Sequence, residues 1–219
     1  MILELSPIGV FALICPVVAE NGPAVLLPLL KVILVAYSAY IIHMVVVYST
    51  SVKVFAGMNP LKFFQGMSQP MIFAFSSASS VGTLPLNMEC CEKLGADQET
   101  TAFVLPLGAT INMDGTAIYQ CVATIFLATC CGMQLTLGQM ITVVVTATLA
   151  SIGTAGVSGA GMLMLAMVLT AMGIPVDMIM IIYGVDRLFD MGRTCLNVTG
   201  DISGALCVST WERKKAAKK

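Results

Sequence analysis

Asp186-Arg187-Leu188-Phe189-Asp190-Met191-Gly192-Arg193-Thr194-Cys195-Leu196-Asn197-Val198-Thr199-Gly200-Asp201 lies inside an otherwise apolar C-terminal segment. On a helix, residues 186, 190, 193, 197 and 201 are separated by four, three, four and four positions and so form one stripe. That stripe carries three carboxylates, one guanidinium and one amide. A charge at the centre of a membrane helix costs about 3 kcal/mol on insertion scales. A stripe of this kind in so apolar a chain points to a wet cavity that takes a ligand.

The surroundings are apolar throughout. Hydrophobic residues make up 58% of the 219 residues and charged residues 11%, against about 25% charged in a typical soluble domain. The composition is that of an integral membrane protein, and the segment pattern makes an all-α one the expectation. A nucleic-acid footprint needs clustered Lys/Arg on a folded face. The basic cluster here, Arg213, Lys214, Lys215, Lys218 and Lys219, closes the chain instead. It reads as a cytoplasmic tail over 211–219 of a multi-pass protein of the plasma (inner) membrane. The eight cysteines sit mostly in apolar runs without zinc-ligand spacing, and the single histidine, His43, reads as a packing or interfacial residue.

The apolar segments are uneven. Residues 1–20 hold a short helix, and 24–55 are long enough to cross a bilayer. Segment 63–91 has a polar centre, Ser76-Ser77-Ala78-Ser79-Ser80-Val81-Gly82-Thr83-Leu84-Pro85. Bare backbone cannot face lipid, so such a break must be buried or line a cavity. A hairpin that enters and leaves on one side satisfies this. Segment 101–131 is apolar except for Asn112-Met113-Asp114-Gly115-Thr116, which predicts an unwound helix. Segment 138–172 repeats the hairpin theme around 151–161, with four glycines in eleven residues. The last helix spans 176–210. Hairpin plus spanning helix thus occurs twice, the pattern of a secondary transporter. A Gly-rich packing interface would account for 151–161 alone, but not for Asp114, Asp190, Arg193 and Asp201. With the tail cytoplasmic, the first hairpin opens from inside and the second from outside. Lys53, Lys62 and Lys93 then fall on the cytoplasmic side.

Arg193 offers a planar fork for a carboxylate, and Asp190 on the same face suits an ammonium. Together they would read an amino acid with an extra carboxylate. Thr194 and Asn197 add neutral hydrogen bonds. Asp190 and Arg193 could instead neutralise each other as an i,i+3 pair, which leaves Asp114 and Asp201 unexplained. Hard oxygen ligands such as these, with carbonyls from broken helices, suit Na⁺. No H-E-x-x-H, G-x-S-x-G or P-loop is present, so the chain is not read as an enzyme, and it calls for no enzymatic cofactor.

Four stretches in order, Ser79 to Pro85, Leu105 to Thr116, Ser151 to Gly161, and Asp190 to Thr194 with Asn197 and Asp201, make nearly the whole chain resemble the glutamate transporter family, the dicarboxylate/amino acid:cation symporters. The resemblance implies an elevator-type transport domain over 24–210, made of two re-entrant helical hairpins, a broken transmembrane helix and spanning helices. This domain would carry substrate and Na⁺ past a static homotrimeric scaffold. It implies sodium-coupled symport of aspartate or glutamate. The alternatives are a symporter for C4-dicarboxylates or neutral amino acids, and a non-transporting binding or assembly fragment.

By the same resemblance, substrate would meet Ser79, Ser80, Thr116, Val157, Gly159, Asp190, Arg193, Thr194 and Asn197. One sodium would take Gly108, Asn112, Asn197 and Asp201. A second would take Thr110, Ser151, Ile152 and Thr154 near Met113, and a third would involve Asp114 and Asn112. The family's pocket arginine is missing: Ala78 and Met191 stand at its two positions, and Arg187 is the candidate replacement. Ser158 stands where proline is frequent. The family's N-terminal scaffold helices are expected to be missing, with 1–20 as a remnant, and the third sodium site to be incomplete.

Overall fold

The computed structural model describes residues 6–217; residues 1–5 of the first segment and Lys218 and Lys219 of the basic tail lie outside the described residues. Every regular element among the described residues is helical. Helix α1 is Ser6–Asn21. Helix α2 runs over Pro23–Val54 and is long and apolar enough to cross a bilayer. Its hydrogen bonding changes on the way, with one π turn at Met44–Tyr48. Asn59 then caps α3, Pro60–Gly66, by accepting from the Leu61 N–H at 2.9 Å.

Two helix–turn–helix units follow the same plan. In the first, α4 (Ser68–Ser77) ends at Ala78, which takes a left-handed conformation with φ 51°. Ser79 then starts α5 (Ser80–Lys93) by capping the Gly82 N–H at 3.0 Å. In the second, α8 (Leu137–Ile152) begins with a Thr136/Gln139 capping box. Residues 153–159 are unwound, and α9 is Ala160–Ala171. Between the units, α6 (Gln98–Ile111) and α7 (Asp114–Cys130) are separated by Asn112 and Met113.

The polar centre expected at 76–85 is thus narrower than the composition predicts. Only Ala78 and Ser79 leave the helix, and Pro85 sits inside α5. The polar run from Glu89 to Thr100 is likewise mostly helical, because α5 runs on to Lys93 and α6 begins at Gln98.

The expected last helix over 176–210 is corrected at both ends. Val176–Ile179 is a 3₁₀ turn and α10 is only Met180–Tyr183. Pro175 and Gly184 bracket this piece, and both residue types weaken helix. Helix α11 starts at Asp186 and runs to Ala216, absorbing residues 211–216 of the basic tail. Asp186 in its first turn and Arg213, Lys214 and Lys215 in its last complement the helix dipole.

Helix α11 is the axis of the fold. It packs against α2, α4, α5, α6 and α7, while α8 leans on α7 and α9. Phe189, Leu196, Ile202 and Leu206 fill the interior with Phe63, Leu105, Tyr119 and Leu127. The charged residues Asp186, Asp190, Arg193 and Asp201 are buried among them. The outside is greasy: Leu30, Leu34, Ile41, Ile42 and Val46 of α2 and Ile141, Val145 and Leu149 of α8 are all exposed. Such faces are a liability in water and at rest in lipid. Apolar burial gives little driving force between helices in a bilayer. Close packing and the polar interior therefore have to specify the bundle.

Candidate functional site

The stripe on α11 faces the two tips. Arg193 is 2% exposed. Its Nε and Nη2 each lie 3.0 Å from Asp190 Oδ1, and its Cζ stands 4.7 Å from the Tyr119 ring centre. Asp186 Oδ1 accepts from the Tyr119 hydroxyl at 2.7 Å and lies 3.9 Å from Arg193 Nη1. Asp186 thereby gains a place in the structure that its sequence position alone does not show. Nη1 itself has no hydrogen-bond partner and is shut off from the surface. It points at Gly161 on α9, where a Cβ would overlap the guanidinium. Gly161 is a site residue that motif reading misses, because its contact is with a residue thirty-two positions away.

Asp190 has a second set of partners on the second tip. Its Oδ2 accepts from the Gly159 N–H at 2.8 Å and the Ser158 hydroxyl at 3.0 Å. Gly159 can aim its N–H this way because its φ is 82°, a conformation natural to glycine. The tips also touch each other: the Val81 N–H and the Ser79 hydroxyl both donate to the Gly156 carbonyl, at 3.1 and 3.3 Å. Between them lies a cavity of about 10 Å³, room for about one water. Its walls include Ser80, Thr116, Val157, Asp190, Arg193, Thr194 and Asn197. Of the other candidates, Ser79 caps α5 and Gly159 binds Asp190. Arg187 is not a wall residue; its guanidinium reaches the tips from outside the cavity.

The sodium candidates fall into neighbouring groups. Asn112 Nδ2 donates to the Asn197 carbonyl and to Asp201 Oδ1, both at 3.1 Å. Asp201 packs so close to Gly108 that a Cβ there would lie 2.6 Å from Oδ1. Asp201 Oδ2 is buried without a hydrogen-bond partner. Unpaired anionic oxygen in a low-dielectric interior is costly, and a small hard cation fits it. Asn197 ties this group to Met113 and Thr116 through its Nδ2, at 3.1 and 3.4 Å. Met113, Ser151 and Ile152 line one larger cavity, and Thr154 lines the smaller one. The Thr110 hydroxyl turns back to the Leu107 carbonyl at 2.9 Å.

Asp114 has partners that local sequence does not reveal. His43 Nε2 lies 2.9 Å from Asp114 Oδ2, and the Tyr48 hydroxyl donates to the same oxygen. His43 is therefore more than the packing residue its apolar run predicts. The π turn at Met44–Tyr48 lies between them. By widening the helix it brings residues five apart toward one face, and the two rings stand 5.2 Å apart.

The sequence that builds this interior has counterparts among known proteins. Residues 1–211 match the model of the sodium:dicarboxylate symporter family. The chain belongs to that family. It is a family of transporters, not enzymes, and its members are integral membrane proteins. The chain is 44% identical over 208 residues to excitatory amino acid transporter 2 of Homo sapiens, covering 94% of this chain and 36% of the human protein. It is 44% identical over 207 residues to an excitatory amino acid transporter of Caenorhabditis elegans, covering 93% and 41%. It is 37% identical over 212 residues to the proton/sodium-glutamate symport protein of Bacillus subtilis (strain 168), covering 97% and 49%. The chain thus spans between a third and half of the length of these relatives.

Proposed function

We propose that this chain is the substrate- and sodium-binding part of a sodium-coupled symporter for acidic amino acids, working as the moving unit of an elevator. The two helix–turn–helix units are read as re-entrant hairpins whose tips meet at mid-membrane, and the C-terminal end of α11 as cytoplasmic. A homotrimer is the assembly that the family resemblance implies.

The observation that carries this reading is the unpaired Nη1 of a buried arginine at the wall of a cavity between both tips. A substrate carboxylate would take that donor together with Nη2, a charge-assisted fork. An ammonium would replace Ser158 and Gly159 on Asp190 Oδ2. Thr194 and Asn197 would hold the backbone carboxylate with amide and hydroxyl groups at the tips. A cavity of about 10 Å³ admits an amino acid only when a tip withdraws. Residues 153–159 are the segment to move, because they are unwound and α9 restarts only at Ala160. Sodium at Asp201, with carbonyls of Gly108, Asn112 and Asn197, would lock Asn197 in place. That shared residue couples ion to substrate.

A second reading, a C4-dicarboxylate symporter, gains support from Asp190, which already has partners on both oxygens without an ammonium. One experiment separates them. The chain in nanodiscs is titrated with aspartate and with succinate, with Na⁺ and with a sodium-free salt. Sodium-dependent aspartate binding that weakens at least a hundredfold in Arg193→Lys, which keeps the charge but not the fork, supports the proposal. Preference for succinate supports the second reading. Equal aspartate affinity in parent and Arg193→Lys overturns the site assignment.

A further inference from the structure

Arg187 stands three residues before Asp190 on α11 and is half-buried. Its Nη2 donates to the carbonyls of Ser76 and Ser77 at 3.0 and 3.3 Å. These are C-terminal carbonyls of α4, which lack helical partners and carry the negative end of its dipole. Its Nη1 donates to the Ser158 hydroxyl oxygen at 2.7 Å. Because that oxygen is already accepting, its own hydrogen is free for Asp190 Oδ2, 3.0 Å away. One guanidinium therefore joins α11, the first tip and the second tip, and sets the direction of the hydroxyl that closes over Asp190.

We propose that Arg187 is a positioning residue that latches the second tip closed. It acts through Ser158 and does not touch substrate. The tip can leave Asp190 only if the Arg187–Ser158 bond breaks with the two tip–Asp190 bonds, so the three open together. Anything that draws Arg187 back to the α4 carbonyls alone frees the tip. This role as a gate rests on the cavity being the substrate site, but the latch itself is measurable with no substrate present.

The Gly159 N–H, bonded to Asp190 Oδ2 at 2.8 Å, is a direct reporter of closure. Hydrogen exchange is followed by mass spectrometry on the full chain in nanodiscs. Arg187→Gln is expected to speed exchange across 156–160 about tenfold and leave 196–206 of α11 unchanged. Arg187→Lys, a single donor that cannot span both tips, is expected to fall between the two. Ser158→Ala is expected to match Arg187→Gln, and the double variant to exchange no faster than either single one, because both remove the same relay. Parent-like exchange at 156–160 in both single variants overturns the latch. So does faster exchange spread equally over α11, or an additive double variant. Loss of aspartate binding in the parent chain would instead bear on the proposed substrate and leave these exchange results standing.

Discussion

Gly161→Ala is the sharpest test of how the guanidinium of Arg193 is held. Gly161 has an ordinary helical backbone in α9, so alanine by itself would strengthen the helix by about 1 kcal/mol. The new Cβ, however, would lie 2.8 Å from Nη2 and closer still to Cζ and Nη1. Comfortable contact needs about 3.5–4.0 Å, and the nearest atom, Nη1, would stand at 2.0 Å, so the guanidinium would have to shift by about 1.5–2 Å. It has nowhere to go, with Asp190 3.0 Å away on one side and the Tyr119 ring beneath it at 4.7 Å. Overpacking costs about 1–3 kcal/mol, and loosened charge-assisted hydrogen bonds another 1.5–3 or so. After the helix gain, about 1.5–5 kcal/mol remains. At 1.4 kcal/mol per factor of ten, aspartate affinity falls roughly tenfold or more. Calorimetry on the chain in nanodiscs with saturating Na⁺ measures this directly. Gly204→Ala is the control, because Gly204 has open space around its missing Cβ, and it should bind like the parent. Gly161→Ala binding aspartate within twofold of the parent would refute the picture of a fixed guanidinium against α9.

Two further outcomes follow from the geometry. Asp201→Asn keeps the shape and removes the charge whose Oδ2 has no partner; the Na⁺ concentration for half-maximal aspartate binding should rise at least tenfold, read from a sodium titration, while binding at saturating Na⁺ survives. Thr136→Ala removes the capping box of α8; it should cost about 1 kcal/mol, seen as faster hydrogen exchange in the first turn of α8 with aspartate affinity unchanged.

What the sequence discloses and what it hides divide along the range of the interactions. The stripe from Asp186 to Asp201 is legible because helical spacing alone puts its members on one face, and the break at Asn112 and Met113 is legible because polar residues interrupt a long apolar run. Proline is a poorer guide. Pro85 and Pro106 are accommodated inside α5 and α6, and the first tip turns instead at Ala78, an alanine in a left-handed conformation that no propensity favours. The partners of Asp114 are hidden for a different reason. His43 and Tyr48 come from a helix some seventy residues earlier, and only a change of helical pitch brings them toward one face. The contacts of Arg187 with the first tip are similarly remote, joining residues more than a hundred positions apart.

The buried polar interior also has an electrical side. Asp114, Asp186, Asp190 and Asp201 set four formal negative charges against the two positive charges of Arg187 and Arg193, with the imidazole counted neutral, so two remain uncompensated. A body of this kind displaced through a potential of about 100 mV pays or gains about 2.3 kcal/mol per charge, close to 5 kcal/mol for two. An acidic amino acid adds a further net charge of −1, so three bound monovalent cations would cancel that dependence in the loaded state, and a fourth would reverse its sign. Under the proposed mechanism, the number of ions loaded on the way in therefore decides whether membrane voltage drives the loaded or the empty return.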